Sequence, residues 1–132
     1  MKSTLLASAL VAALAGVGAS AIRADDAPAV PAPQDVAFNG TLKLTVDATD
    51  VDHRIFRVKE TIPAQPGPLV LLFPEWIPGH HSPTGPIDQF AGLVVTAGGK
   101  RLEWVRDKYN VYAFRVDVPA GASSVDVEFQ TL

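Results

Sequence analysis

Leu93-Val94-Val95-Thr96-Ala97-Gly98-Gly99-Lys100-Arg101-Leu102-Glu103-Trp104-Val105 decides the fold class. Two apolar runs flank Gly98-Gly99, and paired glycines supply the positive φ angles that a tight hairpin turn demands. The stretch therefore predicts two antiparallel strands, 93–97 and 100–105. Working toward the C-terminus, 109–118 puts Tyr112, Phe114, Val116 and Val118 on one face and Arg115 and Asp117 on the other, the period of two that marks a half-buried strand. Pro119-Ala120-Gly121-Ala122 turns the chain into 124–131, where Val125, Val127 and Phe129 point inward. Working toward the N-terminus, Leu69 to Phe73 is an unbroken apolar run between prolines, as expected of a strand covered on both faces. Val51 to Ile62 is rich in β-branched and aromatic residues, and its adjacent Ile55 and Phe56 suggest a bulge. Thr41 to Asp47 alternates, with Leu42, Leu44 and Val46 directed inward, and Asp47-Ala48-Thr49-Asp50 supplies turn chemistry. No segment beyond the leader keeps a helical period over ten or more residues. About seven short strands separated by turns predict an all-β antiparallel sandwich.

Composition narrows the function. The chain has 132 residues and no cysteine, so disulfides, thiolate zinc sites, cysteine nucleophiles and cysteine-linked lipid anchors are excluded. A net charge of −3 without any basic block argues against a nucleic-acid binder. Residues 1–21 read as a secretory signal peptide: Lys2, the apolar run Leu5 to Val17, then Ala19-Ser20-Ala21. The run is shorter than the roughly 20 residues of a membrane span. Cleavage is expected after Ala21, with a periplasmic or secreted product that has no membrane attachment. Residues 22–36, with Pro28, Pro31 and Pro33 among alanines, read as a disordered, extended linker that holds the folded part clear of the membrane. Residues 37–132 form the domain. The strand-like ending Gln130-Thr131-Leu132 leads us to expect a larger protein that continues past this point.

One segment stands apart. Seven prolines lie between Ile62 and Asp88, and four of them fall within Phe73-Pro74-Glu75-Trp76-Ile77-Pro78-Gly79-His80-His81-Ser82-Pro83-Thr84-Gly85-Pro86-Ile87-Asp88. Fixed φ at proline leaves such a loop little entropy to lose, so it can present Trp76, His80 and His81 to a ligand at low ordering cost. The plainer alternative has Trp76 plugging the end of the sandwich and the histidines in solvent. The only histidines are His53, His80 and His81, none followed by glutamate. A helical zinc site needs two histidines four residues apart, a glutamate base and a third ligand. No catalytic residue and no metal ligand is therefore assigned here. Ser82, His81 and Asp88 lack the strand-to-helix elbow of a serine hydrolase, and Glu75, Asp88 and Glu103 are ordinary surface carboxylates.

The segment from Trp76 to Pro86 resembles the tryptophan–proline–glycine segment of the glycyl aminopeptidase family. Ala91-Gly92-Leu93, Gly99-Lys100-Arg101-Leu102, Trp104-Val105-Arg106-Asp107, Val111-Tyr112-Ala113-Phe114 and Val118-Pro119-Ala120-Gly121 follow in matching order. The likeness extends over roughly 38–132. These proteins are secreted zinc metallopeptidases with an N-terminal β domain, a helical zinc domain carrying His-Glu-x-x-His and a PDZ domain. The resemblance implies that this chain is the N-terminal β domain. It would have no cofactor of its own, zinc would belong to the parent, and the catalytic and PDZ domains would be its partners, with peptides reached only through the parent. Trp76, Pro78, Gly79, His80, His81 and Thr84 are then expected to form the substrate-facing loop. The alternative is a free-standing secreted module that binds a sugar, peptide or protein through the same loop, with Trp76 as a stacking anchor.

Overall fold

The structure is a computed structural model and describes residues 29–32 and 35–132. The expected signal peptide and its cleavage point lie outside these residues, as does part of the expected linker. Among the described residues there are eight strands and one short 3-10 turn: β1 (Lys43–Asp50), β2 (Ile55–Pro63), β3 (Gly67–Leu72), the turn Ile87–Gln89, β4 (Phe90–Ala97), β5 (Lys100–Leu102), β6 (Trp104–Arg106), β7 (Ala113–Val118) and β8 (Ser124–Thr131). They form a five-stranded sheet in the order β1-β2-β8-β4-β5 and a three-stranded sheet in the order β3-β7-β6. All pairings are antiparallel. The fold is the all-β sandwich that the sequence predicts.

The expected hairpin is present, with Ala97 opposite Lys100 and φ of 56° at Gly98 and 75° at Gly99. Two successive positive φ angles define the turn that matches strand twist. The strand expected to follow as one piece is two. Leu102 pairs with Val95 in the large sheet, whereas Trp104 pairs with Val116 in the small one. The chain thus changes sheets at Glu103, which raises the count from about seven to eight.

The core lies between the sheets. Leu93, Val95 and Ala97 of β4 with Val125 and Val127 of β8 meet Phe114, Val116 and Val118 of β7. Phe90 joins Phe73, Phe114 and Phe129 at ring centroid distances of 5.3, 5.3 and 4.7 Å. These tilted and edge contacts add attraction beyond the buried area.

Two expectations fail, for one reason. Leu42, Leu44 and Val46 are 56, 61 and 51% exposed instead of inward and covered, and Leu72 on β3 is 52% exposed instead of buried on both sides. Val46 pairs with Val58 and Val58 with Phe129, so the three share the inner face of the large sheet. The small sheet has three strands against five, and β1 lies at the far edge beyond its reach. The outer face of β3 has no third layer to cover it. The turn also shifts. Asp47 Oδ1 accepts from the Thr49 N–H at 2.9 Å and from its hydroxyl at 2.7 Å. That chemistry serves an irregularity in register between Asp47 and Asp50, and the chain reverses later, where Arg54 has φ of 56°. The bulge thus lies on β1, facing the Ile55–Phe56 pair that suggested one.

Candidate functional site

The loop from Phe73 to Gln89 leaves the end of β3 and returns at the start of β4. Its entry is fixed by the Phe73 N–H, which donates to the Tyr112 carbonyl at 2.8 Å. Next comes a β-turn closed by the His80 N–H on the Ile77 carbonyl at 3.0 Å. Pro78 and Gly79 occupy its centre, and Gly79 has φ of 88°. Proline followed by a residue of positive φ is the signature of a type II turn, so the Trp-Ile-Pro-Gly-His order has a direct structural cause. The two limbs of the loop are then tied. The Gly85 N–H donates to the Glu75 carbonyl at 2.9 Å, and the Tyr112 hydroxyl lies 3.3 Å from the carbonyls of both Pro83 and Gly85. Ile87 and Phe73 pack on the core beneath.

On this frame Trp76 is 62% exposed, and Pro78, Gly79, His80, His81 and Thr84 are exposed too. Trp76 does not plug the sandwich end. His80 Nδ1 and Thr84 Oγ1 share a hydrogen bond of 2.8 Å, which fixes the imidazole on the loop instead of leaving it free. His53 lies elsewhere, on the turn between β1 and β2, with Nδ1 2.5 Å from Asp50. Among the described residues no three His, Cys, Asp or Glu side chains gather where they could hold a metal ion. The described residues do not assemble the donor set for the zinc that the resemblance places in the parent.

Sequence reading missed the supports of this loop. Alternation puts Tyr112 on the core face, yet its hydroxyl holds the loop's returning limb. Asp107 organises the neighbouring turn: Oδ1 accepts from the N–H groups of Tyr109 at 2.9 Å and Asn110 at 3.0 Å, and Oδ2 accepts from Arg115 Nε at 2.8 Å and Nη2 at 2.6 Å. An Asp followed at two and three residues by N–H groups to cap is a turn signal that was available in Asp107-Lys108-Tyr109-Asn110. The backbone N–H of Tyr109, then Arg115 and the N–H of Asn110, hold the Asp107 carboxyl below its ordinary value of 3.8. Arg57 and then His53 do the same for Asp50, and the Thr49 hydroxyl and N–H for Asp47.

A folded-state value below the unfolded one means that the native state prefers the carboxylate. The resulting stabilisation is complete above the unfolded carboxyl range near 4 and is lost as pH falls through the lower folded values. Thermal melts from neutral pH down to about 2.5 are therefore expected to show a midpoint that falls below pH 4. Asp107→Asn is expected to melt lower at neutral pH and to lose part of that acid slope. Equal slopes in the two proteins would refute the role given to Asp107.

Fold and loop together define a two-sheet antiparallel domain that presents an exposed tryptophan on a hydrogen-bonded loop. The family model for the peptidase M61 N-terminal domain matches residues 43–132, and the chain belongs to this family. Among solved structures, an aminopeptidase N family protein from Idiomarina loihiensis is similar, with a TM-score of 0.57 and 20% identity over 69% of this chain. The match covers 15% of that protein's chain. At this identity the likeness speaks for the fold alone. No curated protein matches.

Proposed function

We propose that this chain is the N-terminal accessory domain of an exported, glycyl-aminopeptidase-like zinc metallopeptidase. In this reading it acts by packing on a catalytic domain and restricting access to the N-terminus of a peptide. The observation that carries the proposal is the family match, which runs from the first strand to Leu132. The loop from Trp76 to Pro86 is the surface assigned to the catalytic domain and its substrate. It is exposed yet held by hydrogen bonds at both limbs, so it can position a peptide at a low ordering cost of its own. Zinc-activated water and a glutamate base would belong to the catalytic domain.

Two measurements test this. The reading frame beyond the codon for Leu132 is expected to encode His-Glu-x-x-His and a later glutamate ligand. A stop codon there would overturn the proposal and leave the binding module that uses the same loop. In the full-length peptidase, Trp76→Ala with His80→Ala is expected to lower kcat/KM for peptides with small N-terminal residues by about tenfold, the loss of one well-placed contact. The melting temperature should stay within about 2 °C, because neither side chain is in the core. Unchanged turnover would remove the loop from the substrate surface.

A further inference from the structure

The two sheets have four edge strands among the described residues, and three of them are blunted against further pairing. β5 and β6 have three residues each, and β3 carries Pro68, which has no N–H to offer. β1 is different. It is eight residues long, contains no proline, and pairs with β2 along one side only. Its regular stretch runs from Lys43 to Asp47, before the irregularity in register. We infer that this edge is an interface between two copies of the chain. β1 pairs antiparallel with β1 of a second copy about a two-fold axis at Thr45, joining the two five-stranded sheets into one.

Two observations carry this. The first is charge complementarity in register. Lys43, Thr45 and Asp47 share the outer face of the large sheet, opposite Thr61, Lys59 and Arg57 of β2. Pairing about Thr45 sets Lys43 against Asp47 of the second copy and Asp47 against its Lys43, so the two-fold axis generates two opposite-charge pairs. Both groups are available for this. Lys43 has no hydrogen-bond partner among the described residues, and Asp47 uses Oδ1 for Thr49 and keeps Oδ2 open. The second observation is the apolar face. Leu44 and Val46 are exposed on the inner face, and the same register sets each against the other across the axis. Opposite-charge and β-branched apolar pairs across two strands are the contacts that stabilise a sheet. One register alone satisfies both faces. A slip of one residue would set apolar against polar side chains, and a slip of two would part Lys43 from Asp47. The contact is one strand deep, of the size that gives weak, concentration-dependent pairs, so Leu44 stays open in dilute solution. Neither the Trp76 loop nor a catalytic domain takes part, so the interface stands or falls apart from the peptidase reading.

The test uses the full chain with Thr45→Cys, because a chain without cysteine then carries one thiol, at the axis. Directly opposed Cα atoms of an antiparallel pair lie about 4.5–5.5 Å apart, within the span of a disulfide. Under mild oxidation T45C is expected to link into a dimer at least about tenfold faster than Lys100→Cys. Lys100 is exposed on the opposite edge, so K100C reports any association that the rest of the chain brings about. In the T45C chain, Lys43→Asp opposes carboxylates to carboxylates and Asp47→Lys opposes ammonium groups, and each is expected to slow linking by about tenfold. Mixing the K43D and D47K chains makes every facing pair opposite in charge again and is expected to recover most of the rate. Salt supplies a check that needs K43D alone, a change that breaks no bond of the fold. Screening is expected to slow the T45C parent and to speed its K43D variant. Equal linking of T45C and K100C would overturn the inference. So would K43D and D47K chains that link as fast as their parent, a mixture of folded chains that stays slow, or a salt response of the same sign in parent and K43D.

Discussion

Phe114→Ala is expected to lower the melting temperature by at least about 12 °C and to leave a fraction of the chain unfolded at 37 °C. Phe114 is 2% exposed and sits where the two sheets and the loop meet. Its ring lies 5.3 Å from Phe90 and 5.6 Å from Trp104, with Arg106 4.9 Å above it. Truncating a buried phenylalanine removes its transfer free energy and leaves a cavity, together about 3–5 kcal/mol. A domain of this size has only about 5–15 kcal/mol of stability in total, and each kcal/mol moves its midpoint by about 4–8 °C. The neighbours cannot close the gap cheaply, because Phe90 and Trp104 are themselves held. The Trp104 indole N–H donates to the Leu93 carbonyl at 3.1 Å, and Phe90 is locked among Phe73 and Phe129. Leu44→Ala is the matched control. It removes a comparable apolar group from a strand of similar pattern, yet Leu44 is 61% exposed, and a change within about 0.5 kcal/mol is expected. Calorimetry or circular dichroism melts distinguish the two. Similar losses at both positions would show that β1 is covered in solution.

That pair also shows where sequence reading succeeds and stops. Alternation reports which residues of a strand share a face, and it correctly placed Phe114, Val116 and Val118 together, as it did Val125, Val127 and Phe129. It says nothing of whether a second layer lies over that face. Leu44 and Val46 carry the same pattern as Val116 and Val118, and only the three-against-five arrangement of strands separates them. Gly98-Gly99 was legible because a turn's φ demands are local. The crossing at Glu103 was not, because Lys100 to Val105 reads as one strand whichever sheet its halves join. The candidate loop follows the same rule. Its Pro78-Gly79 turn is readable from residue type, whereas its anchors are non-local: Tyr112 reaches it across some 27 residues of chain. Asp107 and Arg115, eight apart in sequence, form one bonded unit beside that anchor, a pairing that no local pattern reports.

Gly85→Ala is expected to disrupt the loop more than any exposed substitution within it. A Cβ on Gly85 would stand 1.9 Å from the Pro74 carbonyl oxygen, 3.0 Å from the Pro74 carbonyl carbon and 3.2 Å from Glu75 Cα. All three are backbone atoms, so no rotamer change relieves the clash and the two limbs must separate. Separation stretches the 2.9 Å bond from the Gly85 N–H to Glu75 and withdraws the Gly85 carbonyl from the Tyr112 hydroxyl. Overpacking costs of about 1–3 kcal/mol and the loss of a buried hydrogen bond at about 1 kcal/mol are expected together, a fall in midpoint of roughly 10 °C or more. Amide shifts should move from Pro74 to Gly85 and at Tyr112, while those of β8 stay in place. Gly79→Ala provides the contrast. Nothing lies within 4 Å of its added carbon, but its φ of 88° is one that L residues avoid. That substitution is expected to cost only about 1 kcal/mol and to leave the Gly85–Glu75 tie intact. The two glycines are thus required for different reasons, close approach at one and turn geometry at the other. If Gly85→Ala melts like the parent with an unshifted Tyr112 amide, the limbs are not in contact in solution, and the rigidity on which the loop's positioning role depends is lost with them.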